Sequence, residues 1–168
     1  MIHVCPLSRL SETVARTGAR HVLSVINAGT PVVRPAGIAP GDHLFLGFND
    51  IVEPQPGLIH PAEEHMRALL EFVRRWPREA ALVVHCYAGI SRSTASAFIA
   101  ACALDPRRDE TEIAARLRAA SPSATPNARL VALGDAALGR GGRMSAAIAA
   151  IGRGADAFEG EPFALAID

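Results

Sequence analysis

The stretch "ALVVHCYAGISRSTASAFIAACAL", residues 81 to 104, decides how the rest of the chain is read. Ala81–Cys86 is a short apolar, β-branched run bounded by a polar loop, the pattern of a buried strand. From Ser91 to Leu104 the periodicity changes, with Ala95, Phe98, Ile99 and Cys102 at the spacing of a buried helical stripe. Between them lies a tight turn with Gly89 at its centre. A strand that runs into a tight loop and then a helix makes an anion site, because loop amides and the first unpaired helix N–H groups converge on one spot. Gly89 supplies the positive φ or close approach that such a nest needs. Arg92 follows Cys86 by six residues, where its planar guanidinium can bind two oxygens of a phosphoryl group. The device is shaped for a phosphate and carries a thiol at its base.

Amide dipoles and an arginine favour the thiolate, and comparable settings lower a cysteine pKa from about 8.5 into a range of roughly 3.5 to 7.5. Cys86 is therefore the candidate nucleophile. His85 can orient the cysteine backbone or add positive field, and the Ser93 hydroxyl can donate to the sulfur and ease its later departure. The remaining candidate phosphate ligands are the amides of Tyr87, Ala88, Gly89, Ile90, Ser91 and Arg92.

Composition narrows the chemistry. The 168 residues suit one ordinary domain with a full core, residues 1–168, with 152–168 as an extended strap or frayed tail. All 17 basic residues are arginine, which removes lysine nucleophiles, Schiff bases and the Walker-type phosphate lysine. Net charge is zero, so nothing in bulk charge points to nucleic acid or a membrane surface. Cys5, Cys86 and Cys102 show neither a disulfide framework nor a zinc spacing, and His60 and His65, five apart, do not share a helix face. A reducing compartment fits, and without a leader-like or membrane-spanning segment the expected location is cytoplasmic.

Further strands are expected at Ile2–Cys5, His21–Ile26 and His43–Phe48. Residues 61–76 form a helix with Met66, Leu69, Leu70 and Val73 on one face, acids in its first turn and Arg74 and Arg75 in its last. Asp109 with Glu112 resembles a capping box, Asn127 can cap another helix, and a short last helix includes Met144, Ile148 and Ile151. The expected fold is α/β: a central, twisted, mostly parallel sheet of about four or five strands flanked by helices, with the Cys86 loop at the carboxyl end of a central strand.

His85-Cys86-x-Ala88-Gly89-x-Ser91-Arg92-Ser93 resembles the signature of cysteine-dependent protein tyrosine phosphatases, in the form common among dual-specificity members. Pro126-Asn127 followed by Leu130 resembles a second segment of those enzymes, and the resemblance extends from residue 1 to about 140. It implies a small, bacterial-type, dual-specificity-phosphatase-like domain that hydrolyses phosphomonoesters through a cysteinyl-phosphate, needing no metal or organic cofactor. The partner would be a phosphorylated protein or a small phosphomonoester.

The resemblance also implies a general acid some thirty-odd residues before the cysteine, and Asp50, 36 residues before Cys86, is the only aspartate in that window. The Trp-Pro-Asp triplet of larger tyrosine phosphatases is absent and Phe48-Asn49-Asp50 stands instead, so Asp50 is read either as the acid or as a turn residue. Asp42 belongs to a Pro-Gly-Asp turn and Glu53 is a weaker substitute. Asn127 is read either as a plain helix cap or as a brace of the phosphate loop. Tyr87 is read either as lining the pocket mouth or, in preference, as packing, and Cys5 and Cys102 are expected to be core residues rather than disulfide partners of Cys86. The loop between Cys86 and Arg92 carries no positive charge, which favours a monophosphate over a polyphosphorylated head group. Two other classes share the loop: a phosphate-binding module without turnover, and a rhodanese-like sulfurtransferase, against which the five-residue gap to Arg92 and the following Ser93 argue.

Overall fold

A computed structural model describes residues 1–167. Four strands, β1 (Ile2–Pro6), β2 (His21–Ile26), β3 (His43–Gly47) and β4 (Leu82–Cys86), run parallel, and β5 (Phe163–Leu165) pairs antiparallel with β1. The order across the sheet is β3-β2-β4-β1-β5, which puts β4 in the centre. Buried on both faces, β4 can be Leu-Val-Val-His-Cys without the alternation of a half-exposed strand.

Side chains on β4 alternate between two cores. Leu82, Val84 and Cys86 join Ile2, Val4, Leu23 and Val25 under α2 (Glu63–Arg75), α3 (Arg92–Leu104), α4 (Glu110–Ala120), α5 (Ala128–Ala137) and α6 (Arg143–Ile151). Val83 faces the other way, with Cys5, Val22 and Ile38, under α1 (Leu10–Thr17). The α/β fold, strand placement and mostly parallel sheet agree with the sequence expectation.

Three details differ from it. The expected stripe on α3 is a helix buried all round from Arg92 to Cys102, because its alanines let neighbouring helices close on every side. The helix expected over 61–76 begins at Glu63, since the His65 ring, accepting from Ala62 N at 3.1 Å, sets the start after Pro61. Asp109 caps α4 by accepting from Thr111 N at 2.7 Å, whereas Glu112 pairs with Arg116 one turn on, so the reciprocal box is not formed. Of the two readings of the tail, the extended strap is the one found, and it pairs with β1 as β5.

Candidate functional site

Cys86 ends β4 at the carboxyl edge of the sheet, where parallel strands open a crevice. Its thiol is 3% exposed, receives Gly89 N–H at 3.2 Å and is hydrogen-bonded to the Ser93 hydroxyl at 3.1 Å. Gly89 has φ +71°, and a Cβ there would stand 2.7 Å from Pro6 N, so both conformation and space require glycine. α3 begins without a side-chain cap, because the hydroxyl of its N-cap Ser91 turns to Asp50 instead. The amides of its first turn are thus left for a ligand.

An anion nest needs its N–H groups inward and its carbonyls held outward. Here Tyr87 O accepts from Leu7 N at 3.1 Å, Ala88 O from Gly160 N at 2.8 Å, Ile90 O from Thr125 N at 2.9 Å and Ser91 O from Asn127 N at 3.3 Å. Elements distant in the chain therefore hold the loop from outside.

Arg92 is 6% exposed. Its Nη1 donates to Asn27 Oδ1 and to Phe48 O, both at 2.7 Å, while Nε is buried with no partner among the described residues. An unpaired buried donor of a cation is costly. One edge of the guanidinium is anchored, and the other is prepared for an oxyanion in the forked geometry arginine favours.

Asp50 follows β3 in a loop closed at its neck by Asn49, whose N–H donates to Ile59 O and whose Oδ1 accepts from Ile59 N, both at 2.8 Å. Within that loop His60 Nε2 is hydrogen-bonded to Val52 O at 3.1 Å. Asp50 Oδ1 accepts from Ser91 Oγ at 2.8 Å and from Asn127 Nδ2 at 2.7 Å. Asn127 also caps α5, its Oδ1 accepting from Leu130 N at 3.0 Å, as the cap reading expects. Asp50, Asn27, Thr30, Leu58, Tyr87 and Arg92 line one cleft of about 380 Å³. Tyr87, 56% exposed, stands at the mouth of this cleft rather than packing inward. A larger hollow of about 540 Å³ lies between α2 and α5, lined by Met66, Leu70 and Leu133, away from the Cys86–Arg92 loop.

On the opposite face of the sheet His85 is fully buried, and desolvation pushes its pKa down to about 4. The ring is neutral near pH 7, which removes the positive field that the sequence reading allowed and leaves orientation. Its Nδ1 lies 3.3 Å from Cys86 O, the geometry of an N–H donor, so Nε2 is the acceptor of Ser24 Oγ–H at 2.6 Å. Ser24 Oγ in turn accepts from His43 Nε2 at 2.7 Å. A directed chain from β3 through β2 thus ends on the backbone carbonyl of Cys86.

Sequence reasoning missed Asn27, Ser24 and His43. Each had a signal: Asn27 follows a parallel strand at the edge where ligands bind, and Ser24 and His43 are polar residues inside apolar runs.

Cys5 is 1% exposed on the α1 face, opposite Cys86, and burial pushes its thiol up to about 12. Cys102, buried in α3, is likewise pushed up to about 12 by desolvation. The placement of both is that of core residues.

No protein-family model matches the chain, and no curated protein matches it in sequence. Solved structures do resemble it. PTP-2 phosphatase of Cydia pomonella superposes with a TM-score of 0.61 at 19% identity, over 79% of this chain and 82% of that one. Human DUSP28 gives 0.62 at 19% identity, over 83% and 94%. A mouse putative dual specificity phosphatase, crystallised with zinc tungstate, gives 0.58 at 19% identity, over 82% and 80%. The fold is that of the dual-specificity phosphatases.

Proposed function

We propose that this protein is a cysteine-dependent phosphomonoester hydrolase acting on phosphotyrosine, alone or together with phosphoserine and phosphothreonine, in proteins. The observation that carries the reading is the half-anchored Arg92, whose unpaired buried Nε belongs to the same loop as a thiol already engaged by an amide and a hydroxyl.

The reaction proceeds in two displacements. The Cys86 thiolate attacks phosphorus as the ester P–O bond breaks, and Arg92 with the loop amides holds the equatorial oxygens as charge develops. Asp50, protonated, gives its proton to the departing alkoxide or phenolate. Both described bonds to Asp50 fall on Oδ1, so Oδ2 is the edge that serves the leaving group. Water then attacks the cysteinyl-phosphate, Asp50 removes its proton, the S–P bond breaks, and Ser93 donates to the thiolate that leaves. Phosphate is released, and the residues require no metal or organic cofactor for any step. A cytoplasmic location accords with free thiols at all three cysteines. No helix among the described residues is long and apolar enough to cross a membrane.

Hydrolysis of para-nitrophenyl phosphate against pH tests the reading. A bell-shaped profile below neutrality is expected, which loses its alkaline limb in Asp50→Asn. A folded, reduced protein that binds orthophosphate but turns nothing over would instead be a binding module.

A further inference from the structure

The tail from Gly152 onward is tied down at several points. Arg118 bridges Pro122 O and Gly152 O, both at 2.7 Å, Gly154 N donates to Thr125 Oγ1 at 3.1 Å and Ala155 N to Pro122 O at 2.9 Å. It then reaches the phosphate loop, where buried Gly160 donates its N–H to Ala88 O at 2.8 Å, and Ser8 Oγ donates to the adjacent Glu159 at 2.9 Å. It returns along β1 as β5, beside the Pro6 against which Gly89 packs. A Cβ on Gly160 would stand 2.9 Å from Gly89 O, so the approach admits only glycine without movement.

The consequence lies in one peptide plane. The carbonyl of Ala88 and the N–H of Gly89 belong to the same planar unit and point in opposite directions. Gly160 holds the first at 2.8 Å, and the second donates to Cys86 Sγ at 3.2 Å. We propose that the strap Gly154–Leu165 is a positioning element of the catalytic loop: through Gly160 it fixes the Ala88–Gly89 peptide so that an amide hydrogen is aimed at the sulfur. The strap touches neither substrate nor the reacting atoms. It acts through the loop, and its catalytic meaning rests on the phosphatase reading above.

The test is Gly160→Ala in the full chain, with two readouts that a merely structural role would leave unmoved. The rate of Cys86 alkylation by iodoacetamide is followed against pH, and affinity for orthophosphate is measured by calorimetry. The expected result is an alkylation profile moved to higher pH and phosphate affinity reduced about five- to tenfold, the scale of one lost hydrogen bond. Should this variant fail to fold, Thr125→Val releases the strap at Gly154 and gives the same changes at about twofold. A lowered Tm with both readouts as in wild type overturns the proposal. A moved alkylation profile in a protein whose wild type neither hydrolyses para-nitrophenyl phosphate nor binds orthophosphate upholds the positioning role and overturns the phosphatase reading alone.

Discussion

Cys5 and Cys86 are the same residue on neighbouring strands, one step apart in register, and almost equally hidden, at 1% and 3% exposure. Yet they face opposite sides of the sheet. Cys5 lies among Leu10, Val14, Val22 and Val83, and burial in that apolar layer pushes its thiol up to about 12. The Cys86 sulfur meets Gly89 N–H, the Ser93 hydroxyl and a loop closed by Arg92. Burial alone makes a cysteine inert; what distinguishes Cys86 is the set of donors aimed at sulfur, which the strand's end and the helix's start supply together.

The largest break in this comparison should come from removing the thiols one at a time. Cys86→Ser is expected to lower kcat with para-nitrophenyl phosphate by about 10⁴-fold or more, while Cys5→Ser leaves kcat within about twofold, because its thiol touches nothing in the site. Comparable losses in both variants would show that Cys5 takes part.

Next comes Asp50, the proposed acid. Asp50→Asn should cost about 10²- to 10⁴-fold with phenyl phosphate, whose leaving group needs the proton, and visibly less with para-nitrophenyl phosphate. An equal loss on both esters would mean that Asp50 only holds Ser91 and Asn127 in place. Arg92→Lys keeps the charge but loses the fork, with an expected loss of about 10²- to 10³-fold in kcat/KM; an active lysine variant would show that charge alone suffices.

A smaller effect concerns the other face of the sheet. The folded protein holds His85 neutral, its pKa down at about 4 against an ordinary value of 6.5. The unfolded chain therefore binds a proton that the folded chain refuses in this window, and stability falls as pH drops from about 6.5 towards 4. The difference corresponds to about 3 kcal/mol. Urea unfolding at steps across that range measures it, and Ser24→Ala, which leaves His85 Nε2 without its donor, should cost about 1–3 kcal/mol at neutral pH. A flat stability profile would contradict a neutral buried His85.

How much of this was legible in the sequence follows from the range of the interactions involved. The Cys86-to-Arg92 device is local, and its six-residue spacing carries the strand, the turn and the helix start within one window. Asp50 was within reach because the resemblance implies an acid some thirty-odd residues before the cysteine, and it is the only aspartate in that window. Asn27 and the Ser24–His43 pair left only a local trace, since their meaning arises only when β2 and β3 line up beside β4, and register is set by the whole sheet. The tail was illegible for the same reason: Gly160 carries no side chain, and its single contribution is a backbone N–H delivered to a loop 72 residues earlier. Asn127 lay between the two, its capping role visible locally and its bond to Asp50 visible only in three dimensions.

The central claim is that the Cys86 sulfur forms a bond to phosphorus. Acid quench of Asp50→Asn during turnover of para-nitrophenyl phosphate, followed by mass spectrometry of the proteolysed chain, tests it most directly. The account predicts a phosphoryl group on the peptide that contains Cys86 and none when Cys86→Ser is added. Steady turnover with no phosphorylated peptide, or with the group on any other residue, would contradict it.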